Sequence, residues 1–147
     1  CINVLQAVIL TDKEKMILTP TYHVMEMYNV HQDSLHLPVE VNSNKYILGK
    51  DTLNAISASA SKDKNGVTHI SLVNIDAAKT QTLSITVNGA NYKTVSGRIL
   101  TSDKLQNYNS FDNPNKIVPG VFNGAQLKGS KLSLNIPPFS VVVLDLK

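Results

Sequence analysis

Cysteine is almost missing from this chain: of 147 residues, only Cys1 carries a thiol. An intramolecular disulfide and a cysteine-based zinc site are both excluded, and the redox compartment stays open. Tryptophan is absent and aromatic residues make up only 5% of the chain, so few flat platforms exist for stacking on a sugar ring. No apolar run approaches the roughly 20 residues a helix needs to cross a bilayer, which argues against a membrane protein. Neither charge sign dominates: 14 basic and 11 acidic residues leave a net charge of +3. The basic residues are scattered singly, whereas phosphate binding needs them concentrated, so a nucleic-acid partner is not expected. There is no Asn-x-Ser/Thr sequon, no Gly-x-Ser-x-Gly elbow and no glycine-rich phosphate loop. Residues 1–10 lack the basic region and cleavage site of a signal peptide. No initiator Met is present, so a targeting signal lying upstream would be invisible, and the compartment is not read.

What is present is an ordinary globular composition. Hydrophobic residues make up 42% of a chain long enough to bury one real core. The first thirty-odd residues differ from the rest. Val4, Leu5, Ala7, Val8, Ile9 and Leu10 form a nearly continuous apolar run, the signature of a strand buried on both faces. Thr11-Asp-Lys-Glu-Lys15 reads as a solvated loop. Thr19-Pro20 reads as a helix start, because a Thr side chain can cap an orphan N–H and Pro at the first position lacks only an N–H that had no partner. Val24, Met27, Tyr28 and His31 then fall on one helical face. A strand followed by a helix is half of a parallel α/β unit and cannot stand alone, so this piece is expected to derive from something larger.

From about Leu35 the pattern changes to period two. Leu35, Leu37, Val39 and Val41 alternate with polar residues, as a half-buried strand does. Tyr46–Leu48, Leu53–Ser61, Val67–Ile75, Leu83–Val87, Tyr92–Thr101, Leu132–Ile136 and Phe139–Leu146 read as further strands. Lys62-Asp-Lys-Asn-Gly66 and Asn88-Gly89 supply turns. Residues 102–124 form a long Asn-rich loop of a length that is either functional or pinned by its own side chains. Eight or nine strands with such turns predict a mainly β, antiparallel β-sandwich, jelly-roll-like in character. The division expected is 1–34 for the strand–helix piece and 35–147 for the sandwich.

Chemistry-bearing residues are sparse. The glutamates are Glu14, in a charged loop; Glu26, in the helix; and Glu40. His31, Asp33 and His36 cluster in sequence, but their spacing matches no strong zinc pattern, so they are read as exposed or capping groups and no metal or cofactor is expected. His23 and His69 read as partly buried side chains. Tyr108 and Phe111, in the Asn-rich loop, are the candidates for a sugar contact, against the plainer reading that they anchor the loop to the sheet.

Several stretches together resemble a known family. Asn3-Val-Leu5, Leu18-Thr-Pro-Thr-Tyr-His-Val24 and Met27-Tyr-Asn-Val-His31 resemble the end of the catalytic barrel of α-L-arabinofuranosidases of glycoside hydrolase family 51. Ser71-Leu-Val-Asn-Ile-Asp76, Gly97-Arg-Ile-Leu-Thr-Ser102, Asn107-Tyr-Asn-Ser-Phe-Asp-Asn-Pro114, Ile117-Val-Pro119 and Leu134-Asn-Ile-Pro-Pro-Phe-Ser-Val141 are similar to its sandwich, in the correct order. The resemblance implies that residues 1–34 are the last strand and helix of a truncated (β/α)8 barrel, followed by the C-terminal sandwich. It places the two catalytic glutamates upstream of Cys1. None of Glu14, Glu26 or Glu40 matches them, and Gln6 does not match the family's substrate-contacting glutamine. The parent activity implied is retaining hydrolysis of terminal α-L-arabinofuranosyl groups, with two carboxylates about 5–5.5 Å apart. The fragment itself is expected to be inactive. Its implied partners are the upstream barrel, an arabinose-containing polysaccharide for the parent enzyme, and a second copy through the exposed N-terminal strand. An independent carbohydrate-binding module stays open as a second reading.

Overall fold

The strand Phe139–Leu146 predicted from sequence is the spine of the molecule. In a computed structural model, which describes residues 7–147, it runs from Ser140 to Leu146 and is flanked on both sides. The elements in chain order are β1 (Ile9–Asp12), β2 (Lys15–Leu18), α1 (Pro20–Tyr28), β3 (Leu35–Leu37), β4 (Lys45–Leu48), β5 (Asp51–Asn54), β6 (Ile56–Lys62), β7 (Thr68–Asn74), β8 (Gln81–Thr86), β9 (Val95–Thr101), β10 (Gly120–Val121), β11 (Ala125–Lys128), β12 (Lys131–Ile136) and β13 (Ser140–Leu146), with a 3₁₀ turn at Asn29–His31 after the helix. All the pairings are antiparallel. A six-stranded sheet has the order β10-β9-β13-β7-β6-β3, and a three-stranded sheet the order β11-β12-β8.

The two sheets face each other, so the fold is the expected antiparallel β-sandwich. Successive side chains of a strand point to opposite faces. Val142, Leu144 and Leu146 of β13 therefore join Ile70 and Leu72 of β7 and Leu132, Leu134 and Ile136 of β12 in the inter-sheet core. The other face of β13 presents Val141 and Val143, which pack with Leu100, Ile117 and Val24, Met27 and Val30 from the helical segment. A helix thus covers the back of the larger sheet, and β13 is buried on both faces because two separate layers cover it.

The helix starts as the sequence indicates. Thr19 is extended, and its Oγ1 accepts the Tyr22 N–H at 3.4 Å while donating to the carbonyls of Ala7 and Val8 at 2.8 and 3.0 Å. Met27, at the centre of the expected apolar face, is buried.

Several expectations change. The supposed loop Thr11–Lys15 is the tip of an antiparallel hairpin, with Ile9 opposite Leu18 and Asp12 opposite Lys15. Lys13, at φ +52°, makes the tight turn. The ends of the apolar run at Val4 and Leu5 lie outside the described residues. Residues 35–41 are not one half-buried strand: β3 stops at Leu37, and Leu35 and Val39 are exposed. Pro38 has no N–H to donate to a ladder, which ends the pairing. The expected strand Leu53–Ser61 is two strands, and β5 pairs with β4 as a separate two-stranded arm. The Asn88-Gly89 turn carries the chain from the smaller sheet to the larger one, since β8 pairs with β12 and β9 with β13.

Candidate functional site

Two motifs of polar residues prove to be built into the framework. Asn74 lies buried at the end of β7. Its amide donates to the carbonyls of Lys79, Ile136 and Pro137 at 3.0, 3.1 and 2.9 Å, and its Oδ1 accepts the Asp76 N–H at 3.0 Å. Asp76 Oδ1 accepts the N–H groups of Ala78 and Lys79, both at 2.9 Å. The Leu-Val-Asn-x-Asp run therefore ties the end of one sheet to the end of the other. Buried polar groups persist only when their bonds are made, and here most are made to backbone, with Asp76 Oδ2 accepting from Gln81 Nε2 at 3.4 Å.

The Asn-rich loop is held by the same chemistry. Asn109, only 3% exposed, donates from Nδ2 to the carbonyls of Leu18 and Ile117, both at 2.9 Å. Its Oδ1 accepts the Ile117 N–H at 2.7 Å. One side chain thus closes the loop on itself and fastens it to the end of β2. Sequence reading missed Asn109 because several asparagines crowd this loop and nothing local distinguishes the buried one. Tyr108, beside it, points outward and is 68% exposed, so its ring does not anchor the loop. Phe111 is half-buried.

A polar seam lies between the helix and the larger sheet. His31 is not the exposed or capping group expected. The chain turns through the 3₁₀ segment and sets its ring between two buried serines, with Nδ1 2.7 Å from Ser61 Oγ and Nε2 2.6 Å from Ser71 Oγ. A neutral imidazole has one donor and one acceptor nitrogen, so one serine donates to the ring and the other accepts from it. Burial, and then the neighbouring His69, hold the His31 pKa below the usual histidine value. Burial raises that of Tyr28, opposed by its hydrogen bond with Ser71. His69 is buried, as expected of it in part, with Nδ1 2.6 Å from Asp145 Oδ1 and Nε2 3.7 Å from Asp63 Oδ2. Further along the helix, Arg98 grips Glu26 through two bonds of 2.7 and 2.8 Å, which holds the Glu26 carboxyl below the usual carboxylate range.

This seam has the wrong parts for glycoside hydrolysis. Two carboxylates must flank the scissile bond, one protonating it and the other attacking or activating water. Glu26 is committed to Arg98, while Glu14 lies exposed at the hairpin tip and Glu40 lies exposed before the arm. His31 has serines at both nitrogens, and among the described residues no carboxylate is bonded to it to orient it as a base. Asp33 and His36 are exposed, and no group of three or more His, Cys, Asp and Glu side chains converges as a metal site among the described residues. A cavity of about 750 Å³ opens between the two sheets and is lined by residues such as Val41, Ile56, Ile70, Leu72, Leu83 and Ile85. It offers no aromatic ring to a sugar. Among the described residues, no helix is long and apolar enough to cross a membrane.

An antiparallel sandwich backed by one helix, its ends tied by buried Asn74 and Asn109, defines a β-sandwich domain. The chain belongs to the family described as the α-L-arabinofuranosidase C-terminal domain, whose model matches residues 1–140. It is 42% identical to an intracellular exo-α-L-arabinofuranosidase of Bacteroides ovatus, over 99% of this chain and 29% of that protein. It is similar to the crystal structure of the family 51 arabinofuranosidase from Xanthomonas axonopodis pv. citri, with 40% identity and a TM-score of 0.96, covering all of this chain and 30% of that one. A family 51 α-L-arabinofuranosidase from Bifidobacterium longum has the same fold, with a TM-score of 0.87 at 17% identity. The chain thus spans under a third of the length of the relatives it matches.

Proposed function

We propose that this chain is the C-terminal accessory sandwich of a retaining α-L-arabinofuranosidase and is itself non-catalytic. The carrying observation is its match to the C-terminal domain family over residues 1–140, together with relatives more than three times its length. The commitment of Glu26 to Arg98 supports the same reading. In it, the catalytic carboxylates belong to a barrel that precedes this chain. Residues 1–34 supply the closing strand and helix of that barrel, with the β1–β2 hairpin projecting between them, and residues 35–147 form the sandwich. The enzyme removes terminal α-L-arabinofuranosyl groups from arabinan- or arabinoxylan-type glycans. The test is turnover of an aryl α-L-arabinofuranoside by the full-length protein and by its upstream part alone. Full-length activity that is lost without this chain supports the reading. An upstream part that is equally active alone overturns the structural role.

The exposed ring of Tyr108 favours one second reading, an independent carbohydrate-binding module. Retardation on an arabinan or arabinoxylan affinity gel that disappears in Tyr108→Ala would select it. Unretarded migration of the unsubstituted protein would remove it.

A further inference from the structure

One end of the sandwich exposes several large apolar side chains. Ile56, Asn74, Ser140 and Thr101 are register partners in turn across β6, β7, β13 and β9, so they mark one rim of the larger sheet. Two segments rise from this rim. The β4–β5 arm springs from a neck where the Ala55 N–H donates to the Asn44 carbonyl at 2.8 Å, beside the end of β6. The Asn109-anchored loop follows Thr101 at the end of β9. Three strand spacings separate them, about 14 Å. The arm exposes Ile47, Leu48 and Leu53 at 66, 69 and 61%, and the loop exposes Leu105, Tyr108 and Val118.

The arm's register puts Tyr46, Leu48 and Leu53 on one face and Ile47 on the other. A two-stranded ribbon is marginal in water by itself, and one that carries large apolar side chains outward is suited to contact with another surface. At the opposite end of the sandwich Lys62, Lys64, Lys93 and Lys147 gather around the turns and Leu35 is the large apolar side chain exposed, whereas the arm and the rim loop set several large apolar side chains among their own lysines, Lys45, Lys50, Lys104 and Lys116.

We infer that this rim is the docking face for the catalytic domain preceding this chain on the same polypeptide, with the β4–β5 arm as its main contact. The inference rests on the proposed function. The family is a C-terminal domain and the chain spans 29–30% of its relatives, so the greater part of the polypeptide lies before it. The described chain also enters at this rim. Ala7 is bonded through its carbonyl to Thr19, and the adjoining Leu18 is bonded to Asn109 of the rim loop. A domain attached there lies beside the Asn109 loop, with the arm about three strand spacings further along the same rim.

The test places the photo-crosslinker p-benzoylphenylalanine at Leu48 or at Leu53 in the full-length protein, with Lys64 as the control position at the opposite end. Irradiation is expected to give intramolecular adducts with peptides that precede Cys1, at least tenfold above the Lys64 control and at unchanged monomer mass. Adducts absent from both arm positions, or no more abundant than at Lys64, overturn the inference. A cross-linked dimer in their place assigns the arm to a second copy and also overturns it. Arabinofuranoside turnover measured on the same sample separates the two claims: adducts without turnover leave the docking face standing and remove the proposed activity, while turnover without adducts does the reverse.

Discussion

Truncating Asn109 to alanine removes three hydrogen bonds from a buried position. The Ile117 N–H loses its acceptor inside the packing around Leu100, Met27 and Val143. A buried donor left unsatisfied costs about 1–3 kcal/mol, and each of the two carbonyls that lose a donor adds about 0.5–1.5 kcal/mol. The expected destabilisation is about 3 kcal/mol, and for a domain of this size each kcal/mol lowers Tm by roughly 2–4 °C, giving a fall of roughly 6–12 °C. Asn109→Asp keeps an acceptor for the Ile117 N–H but turns a carboxylate toward the carbonyls of Leu18 and Ile117, so it is expected to be at least as damaging. The assay is thermal unfolding by circular dichroism paired with limited proteolysis. Cleavage within residues 102–119 is expected to appear below the melting transition in both variants. A Tm within about 1 °C of the unsubstituted protein, with unchanged cleavage, would refute the assignment of Asn109 as the anchor.

Met27→Ala removes the side chain that fastens the helix to the back of the larger sheet, and should cost about 2–5 kcal/mol in denaturant unfolding. Gly97→Ala would place a Cβ 2.7 Å from Leu144 Cδ2 and 3.2 Å from Phe122 Cδ1, so overpacking of about 1–3 kcal/mol is expected in the same measurement. Stability should also fall on acidification. The pKa values of His31 and His23 are held below the usual value, chiefly by burial, so folding disfavours their protonated forms. Their contribution is complete above the unfolded value near 6.5 and is lost as pH falls below it. Unfolding midpoints at pH 7.5 and 5.5 check this, with His31→Gln expected to show the smaller difference. An equal pH response in that variant would contradict the role given to His31.

The sandwich was legible because strands such as β12 alternate strictly and β13 carries the unbroken apolar run Val141–Leu144. Leu132, Leu134 and Ile136 have polar residues between them, and the same rule places all three in the inter-sheet core. Thr19-Pro20 was legible because capping is a local event. The seam beneath the helix was not. Ser61 and Ser71 approach His31 across 30 and 40 residues of sequence, and no local pattern in a chain records such a meeting. The β4–β5 arm was hidden for a related reason: its strands carry the apolar residues of a core strand, yet they pair only with each other in the sheet pattern. Tyr108 and Asn109 show the limit of residue type as a guide. The aromatic residue, usually the one that packs, faces outward, and the amide beside it is buried.

The most direct test of the account compares the full-length protein with the purified 147-residue chain on an aryl α-L-arabinofuranoside. The account predicts turnover with retained configuration by the full-length protein and none by the chain alone. Turnover by the chain alone that is lost in Glu14→Gln, Glu26→Gln or Glu40→Gln would contradict the account, whereas turnover that survives all three substitutions belongs to a contaminating enzyme.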